Sequence, residues 1–292
     1  MSAPTTGAVP RHAVTPEPPE WTGGWAADRL GITLAGPADL ADHRRHPARG
    51  LGVADLAGLA VRRNPARAHL VVSRVLGKHI PVDPAIAITA GRLLGRRVAA
   101  TLAGRVGPTT TEPTTEEQAV EAALAAALRG ERQLTPWDVP GAGPIAAGPI
   151  AAGPIAAGPI AADPGASAGC ALVIGYAETA TALGHLVADV LPGARYLHST
   201  RRHTPGLAPG RGFDEVHSHA TAHLLVPADP GWLAAAGPVV VVDDELTTGR
   251  TAVATIRAMH AAYQRPEYLV ATLLDLRTAA DRAAMAEAAA EL

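Results

Sequence analysis

Short apolar runs alternate with segments of helical periodicity through the C-terminal half of the chain. A run of about five apolar residues fits a buried strand, whereas apolar residues three and four apart fit a helix. Such runs predict strands over residues 171–175, 194–198, 238–242 and 268–274. Helical spacing predicts helices over residues 179–191, 249–263 and 279–292. Strands that alternate with helices favour an α/β fold with a doubly wound, mostly parallel sheet.

A different pattern separates the second and third of these strands. Residues 199–212 are rich in Gly, Pro and Arg and predict a loop. Residues 213–226 predict a strand or a hairpin.

The N-terminal half carries helical spacing instead. It predicts helices over residues 53–62, 67–76, 84–105 and 115–128. Asp83 followed by Pro84 fits an N-cap and the first helical position. We therefore expect an N-terminal helical segment that packs on the α/β core.

A tandem repeat divides the chain. GPIAA occurs four times over residues 143–162, and a Pro in every fifth position prevents a continuous helix, including one that crosses a membrane. The expected organisation is a disordered tail (1–20), a mainly helical part (21–132), a low-complexity linker (133–167) and an α/β core (168–292).

Charge and cysteine content exclude several classes of protein. The 292 residues include 25 Lys and Arg against 27 Asp and Glu, a net charge of −2, so a nucleic-acid or membrane coat is not expected. Cys170 is the single cysteine, which excludes an internal disulfide framework and favours a cytoplasmic protein. The N-terminus lacks the apolar stretch of a secretory signal.

The segment most informative about chemistry is VVVVDDELTTGRT, residues 239–251. Four valines predict a strand buried on both faces, and ligands of open α/β sheets bind at the carboxyl ends of such strands. Asp243 and Asp244 can accept hydrogen bonds from a vicinal diol. The threonines, Gly249 and the start of a helix offer hydroxyls and N–H groups to a phosphate. Together they predict a site for a ribose 5-phosphate.

An apolar strand that ends in Asp-Asp-Glu also fits a Walker B strand of an ATPase. A P-loop would then have to supply a Lys followed by Ser or Thr. The chain has one lysine, Lys78, and His79 follows it. The ATPase interpretation is therefore disfavoured.

Residues 239–251 resemble the phosphoribosyl-pyrophosphate (PRPP) motif of type I phosphoribosyltransferases. The resemblance implies the type I phosphoribosyltransferase fold, which includes a small hood. It also implies that Asp243 and Asp244 hold the ribose hydroxyls and support catalysis. It also implies a phosphate cradle of Thr247, Thr248, Gly249, Arg250 and Thr251. The expected substrates are PRPP, with Mg²⁺ held mainly by substrate oxygens, and a nitrogenous base. No metal site of the protein itself is expected.

Two further segments are candidates for the pyrophosphate. By the resemblance, the loop between the strand at 171–175 and the helix at 179–191 would receive it, through Ala177, Glu178, Thr179 and Ala180. Arg201 and Arg202, in the basic loop, would neutralise the departing charge. An ordinary strand-to-helix turn and a solvated basic loop are the structural alternatives.

Residues 64–81 and 215–223 resemble a narrower group, the orotate-phosphoribosyltransferase-like proteins of bacterial tellurium-resistance gene clusters. In the first segment, Lys78 is a candidate pyrophosphate ligand, or a charge that ends a helix. In the second, His217, His219 and His223 fit a base or phosphate contact from the hood, structural histidines, or a zinc site that lacks a fourth ligand.

Two functions fit these features. One is a transferase that moves the phosphoribosyl group of PRPP to a nitrogen acceptor and releases pyrophosphate. The other is a non-catalytic PRPP or nucleotide sensor in a stress-response system. The acid pair and both candidate pyrophosphate segments favour the enzyme. A homodimer stays open, and the base is not defined by the sequence.

Overall fold

A computed structural model describes residues 24–32, 51–63, 68–104, 114–134, 170–202, 211–214, 222–227 and 229–292. The predicted tail (1–20) and all but the first two residues of the predicted linker (133–167) lie outside this part of the chain. None of the helices within it has the length and hydrophobicity needed to cross a membrane.

The described residues of the N-terminal part form four helices and a hairpin. They are α1 (Gly24–Leu30), α2 (Val53–Leu56), β1 (Ala57–Val61), β2 (His69–Ser73), α3 (Pro84–Leu102) and α4 (Thr115–Leu128). The predicted helices at α3 and α4 are confirmed. The Asp83 side chain accepts a hydrogen bond from the Ala85 N–H at 2.9 Å and caps α3, as its sequence position predicts.

The two other helices predicted in this part were wrong. Of residues 53–62 only the first four are helical, and residues 69–73 of the segment 67–76 form a strand. β1 and β2 pair antiparallel, with Leu59 opposite Val71. These two side chains face one apolar cluster with Leu274. Short apolar runs fit the spacing of a helix as well as that of a strand. Here antiparallel pairing and burial of one face favour strands. The N-terminal part is therefore a hairpin with helices.

The α/β core continues the chain in the predicted order. Its strands are β3 (Leu172–Gly175), β4 (Arg195–Thr200), β5 (Arg211–Asp214), β6 (Ala222–Leu225), β7 (Val239–Leu246) and β8 (Tyr268–Asp275). Its helices are α5 (Thr181–Val190), α6 (Gly231–Ala234), α7 (Arg250–Ala262) and α8 (Ala279–Ala290). β5 and β6 pair antiparallel, so of the strand or hairpin predicted over residues 213–226 the hairpin is observed. β5 begins at Arg211, within the predicted loop 199–212.

One six-stranded sheet has the order β5-β6-β4-β3-β7-β8. β4, β3, β7 and β8 run parallel, and β6 and β5 add an antiparallel edge. Valines of β7 alternate between the two faces: Val240 and Val242 join the apolar cluster that includes α3, α4 and α5, and Val239 and Val241 join the cluster of α7. Helices cover both faces, so the predicted doubly wound, mostly parallel fold is confirmed.

β7 extends further than its neighbour β3. β3 pairs with β7 only as far as Gly175, opposite Val242. β7 then continues beside β8 until Leu246 lies opposite Asp275. Residues 243–246 consequently have a strand neighbour on one side only. The edge left open beyond the end of β3 creates a step at the carboxyl end of the sheet, where open α/β sheets bind ligands.

Two helices that come from the two halves of the chain pack closely. Gly91 of α3 lies against α5, and a Cβ at position 91 would be 2.6 Å from the Leu186 Cβ. At Gly95, one turn later, a Cβ would be 3.0 Å from the Val190 Cβ and 3.1 Å from the Val187 Cα. The absence of side chains at these two positions fixes how α3 approaches the core.

Gly91→Ala tests this contact. The overlap with Leu186 should lower the free energy of unfolding by about 1–3 kcal/mol, and it should exceed the gain in helix propensity of up to about 1 kcal/mol. Chemical denaturation followed by circular dichroism measures the change. Gly77→Ala is the control, because no atom lies within 4 Å of a Cβ there. Equal stability of the two variants would contradict the close approach.

Candidate active site

A cavity of about 720 Å³ lies at the step in the sheet. Its walls come from the segment after β7, from the ends of β3 and β4, from β6 and from the β1–β2 hairpin. Most of the residues singled out by sequence line it. They are Lys78, Ala177, Thr179, Arg201, His223, Asp243, Asp244, Thr247, Thr248, Gly249, Arg250 and Thr251.

The segment 247–251 links β7 to α7 and forms one wall. Gly249 is the N-cap of α7 with φ of 78°, a conformation that favours glycine, and a Cβ there would lie 3.0 Å from the Met285 sulfur. No side chain caps this helix. The first turn, which begins at Arg250, also lines the cavity. N–H groups at an uncapped helix N-terminus are suited to bind a phosphate.

The adjacent acids point to opposite faces of β7, because side chains alternate along a strand. Asp244 is nearly buried, with 8% of its surface exposed. Its Oδ1 accepts a hydrogen bond from the Thr179 hydroxyl at 2.9 Å, and its Oδ2 accepts one from Lys78 Nζ, also at 2.9 Å. The Asp243 carboxylate accepts a hydrogen bond from the Asp244 N–H at 2.9 Å. The pair therefore has two different environments within one cavity.

The loop after β3 contributes two of the four residues predicted there. Ala177 and Thr179 line the cavity, whereas Glu178 is exposed and Ala180 is fully buried. The Ala177 N–H donates a hydrogen bond to Ser199 Oγ at 2.9 Å, and the Ala177–Glu178 peptide bond is cis. Thr179, through its hydroxyl, is the member of this loop that reaches Asp244.

A chain of polar contacts centred on the buried Ser199 and His223 supports this loop from β4 and β6, and the exposed Arg201 forms its outer end. Arg201, in the cavity wall, donates from Nε to Nε2 of His223 at 3.4 Å. Because Nε2 accepts this hydrogen bond, the proton of the neutral ring is on Nδ1, which lies 2.9 Å from Ser199 Oγ. His223 is 2% exposed and belongs to β6 of the central sheet. Arg202 is exposed and does not line the cavity.

His217 and His219 lie outside the described residues. Within the described part, no group of three or more His, Cys, Asp or Glu side chains is arranged to hold a metal ion.

The comparisons with known proteins decide the family. A family model described as phosphoribosyl transferase matches residues 56–292, which is most of the chain. The chain belongs to this phosphoribosyl transferase family. A search of curated proteins found no match.

Solved structures of adenine phosphoribosyltransferases show limited similarity. The protein from Rhodothermus marinus is 20% identical over 37% of this chain and 57% of its own, with a TM-score of 0.27. The protein from Giardia lamblia, complexed with 9-deazaadenine, is 20% identical over 40% of this chain and 64% of its own, with a TM-score of 0.31. The chain thus spans less than two thirds of these structures, and the family assignment stands on the family model.

Several residues of this transferase-family cavity were missed by sequence reasoning. Arg62, His69 and Val71 reach it from the β1–β2 hairpin. The two segments that carry them were predicted as helices, so no pattern placed them near β7. Glu245 also lines the cavity, directly after the predicted acid pair.

Tyr176, which was also missed, ties the end of β3 to α7. Its hydroxyl donates to Thr255 Oγ1 at 2.6 Å, and the Thr255 hydroxyl donates to the Thr251 carbonyl at 2.8 Å. Burial raises the pKa of Tyr176, so the phenol stays protonated and remains a donor. Its position directly after a predicted buried strand is the sequence signal that could have identified Tyr176 as a residue near the site.

The cavity changes the acidity of Asp243. Burial, followed by repulsion from Asp244, raises its pKa well above the ordinary value of 3.8. A carboxyl with a raised pKa in the folded state stabilises the fold most when it is protonated. That contribution is complete below about pH 4 and is lost as the pH rises through the raised folded-state pKa.

Asp243→Asn should therefore stabilise the ligand-free protein increasingly toward alkaline pH. We expect the difference in free energy of unfolding between variant and wild type to grow by at least ~1 kcal/mol between pH 5 and pH 9. Urea denaturation at several pH values measures it. Asp28→Asn, on the exposed side of α1, is measured alongside as the control for removal of one carboxyl group. A flat difference for Asp243→Asn would contradict the raised pKa.

Proposed function

We propose that the protein transfers the 5-phosphoribosyl group of PRPP to a nitrogen acceptor and releases pyrophosphate. The observation that carries this proposal is the single cavity in which an uncapped helix N-terminus, two adjacent carboxylates and separate cationic side chains meet. PRPP, a sugar with phosphate groups at two ends, fits a cavity with a phosphate-binding helix end, two carboxylates and cationic side chains. Family membership supports the same reaction class.

Each part of the cavity has a proposed role. Residues 247–251, with the first turn of α7, would bind the 5-phosphate. Asp243, beside this segment, would accept hydrogen bonds from the ribose hydroxyls, and Asp244 would do so if its contacts to Lys78 and Thr179 rearrange. Thr179, Lys78 and Arg201 would face the pyrophosphate, where their donors offset its negative charge.

The reaction breaks the bond between the anomeric carbon and a pyrophosphate oxygen and forms a bond from the acceptor nitrogen to that carbon. The electron pair of the broken bond leaves on pyrophosphate, and the proton of the acceptor nitrogen goes to solvent or to a nearby base. Positive charge develops on the ribose and negative charge on the leaving group. Fixed cations and N–H donors that stabilise the second charge, together with orientation of the sugar, lower the barrier.

Mg²⁺ would arrive as part of the substrate. It prefers oxygen ligands and usually keeps several waters, bound through one or two carboxylates plus phosphate oxygens. The carboxylates of Asp243 and Asp244 fit this donor set. When bound, the ion would neutralise charge on the pyrophosphate.

Three narrower expectations from the sequence stay predictions: the relation to tellurium-resistance gene clusters, the cytoplasmic location and a homodimer. The sensor function also stays an alternative, and turnover separates it from the transferase.

Asp243→Asn together with Asp244→Asn should weaken Mg–PRPP binding by about 100-fold or more, because both proposed acceptors of the ribose hydroxyls lose the ability to carry negative charge. Isothermal titration calorimetry measures the affinity, and release of pyrophosphate with a panel of bases measures turnover. Asp229→Asn is the control, since Asp229 is exposed and outside the cavity. Unchanged affinity in the double variant would exclude the proposed sugar site. Tight binding without pyrophosphate release for any base would favour the sensor.

Lys78→Ala should weaken PRPP about 10-fold or more while ribose 5-phosphate loses much less, because the ammonium is proposed to contact the pyrophosphate. Competition titrations with both ligands measure the two losses. Lys78→Arg keeps the charge and should recover part of the PRPP affinity. Equal losses for the two ligands would remove Lys78 from the leaving-group side of the site.

A further inference from the structure

The two phosphate ends of PRPP would bind to two separate elements of the cavity. The proposed pyrophosphate contacts include the loop after β3, and the proposed 5-phosphate contacts are residues 247–251 with the first turn of α7. β3 stops pairing with β7 at Gly175, opposite Val242. One more backbone hydrogen bond follows in the described chain, from the Tyr176 N–H to the Val242 carbonyl at 3.1 Å. Backbone pairing beyond this point therefore does not fix the distance between the two elements.

A buried side-chain contact joins them instead. Tyr176 lies directly before the loop and is 4% exposed. Its hydroxyl donates a hydrogen bond to Thr255 Oγ1 at 2.6 Å. Thr255, which is fully buried in α7, donates from its hydroxyl to the Thr251 carbonyl at 2.8 Å. These two hydrogen bonds connect the start of one proposed phosphate subsite to the first turn of the other.

The chemistry of the three groups fixes the direction of these hydrogen bonds. The Thr251 carbonyl can only accept, so the Thr255 hydroxyl donates to it and keeps its lone pairs for the proton of Tyr176. Both hydroxyls are buried, and a buried hydroxyl that loses its partner is costly. A shift of α7 relative to the loop would break one of the two hydrogen bonds. The contact consequently resists such a shift.

Each subsite also has local support that does not involve this contact. The first turn of α7 is held by its own backbone hydrogen bonds, which include that of the Val253 N–H to the Gly249 carbonyl at 3.0 Å. The loop is held against β4 by the hydrogen bond from the Ala177 N–H to Ser199 Oγ at 2.9 Å. The tyrosine–threonine contact therefore acts on the distance between the subsites more than on the shape of either one.

A second side-chain link between the loop and β7 uses groups that are proposed to meet the ligand. It is the hydrogen bond from Thr179 to Asp244, which would rearrange when Asp244 binds the ribose. Thr255 lies outside the described cavity wall, so the hydrogen bond that it accepts from Tyr176 can persist when a ligand is bound.

We infer that Tyr176 and Thr255 are positioning residues, which set the distance between the pyrophosphate subsite and the 5-phosphate subsite. The inference rests on the proposed function. A ligand that fills both subsites at once requires the contact, whereas a ligand that fills one subsite does not. Displacements of about 1 Å can lower the rate of an enzyme about 100-fold, so a small change in this distance is sufficient.

Tyr176→Phe and Thr255→Val each remove one hydroxyl and keep most of the side-chain volume. We expect each variant to bind Mg–PRPP about fivefold more weakly or worse, while ribose 5-phosphate and pyrophosphate each stay within about twofold of wild type. Isothermal titration calorimetry measures the three ligands. The double variant should lose little more affinity for PRPP than either single variant, because both substitutions remove the same contact.

Three further variants serve as controls. Thr255→Ser keeps a hydroxyl and should keep most of the PRPP affinity. Thr89→Val is matched to Thr255→Val, because Thr89 is fully buried in α3 and its hydroxyl has no hydrogen-bond partner among the described residues. Tyr268→Phe is matched to the tyrosine variant, since Tyr268 lies outside the described cavity wall. The last two should leave the ratio of PRPP affinity to ribose 5-phosphate affinity unchanged.

The outcomes separate this inference from the function on which it rests. Equal losses for all three ligands indicate a general effect on the site and overturn the inference. Unchanged PRPP affinity, or losses that add in the double variant, overturn it while the proposed function stands. A loss in Tyr176→Phe without one in Thr255→Val places the tyrosine on the ligand and also overturns it. Failure of wild type to bind PRPP overturns both proposals.

Discussion

The Asp244 carboxylate joins three distant parts of the chain. It accepts hydrogen bonds from Lys78, which follows the hairpin, and from Thr179, which follows β3, while its own backbone belongs to β7. A nearly buried carboxylate is costly unless its charge is matched. These two donors provide that match in the ligand-free protein, so the positions of Lys78 and of the loop after β3 depend on the same carboxylate.

The unequal lengths of β3 and β7 determine where this carboxylate can act. Because β3 ends opposite Val242, the next residues of β7 have an open edge, and alternation directs Asp243 and Asp244 to different faces. Burial then raises the pKa of Asp243. The same feature that makes this acid available to a ligand reduces the stability of the empty protein at neutral pH, which is common at functional sites.

Sequence predicted the α/β core because its signals are local. Within residues 239–251 the four valines lie in a buried strand and Gly249 lies directly before a helix, as expected. The two acids line the cavity, but they lie within β7, which continues to Leu246, and not after the predicted strand end at residue 242. The hairpin was not predicted, since short apolar runs do not distinguish a strand from a helix without knowledge of the surface they cover. Arg62 and His69 were missed for that reason. The pairing of Lys78 with Asp244 spans 166 positions, and no local pattern encodes such a contact.

The cavity is assembled from residues on both sides of the segment 135–169. Lys78 and the hairpin precede it, and β3 and β7 follow it. Neither fragment produced by cleavage within that segment would carry a complete set of ligand contacts. Recovery of the proposed PRPP binding after mixing two separately expressed fragments would therefore serve as a complementation assay for their association.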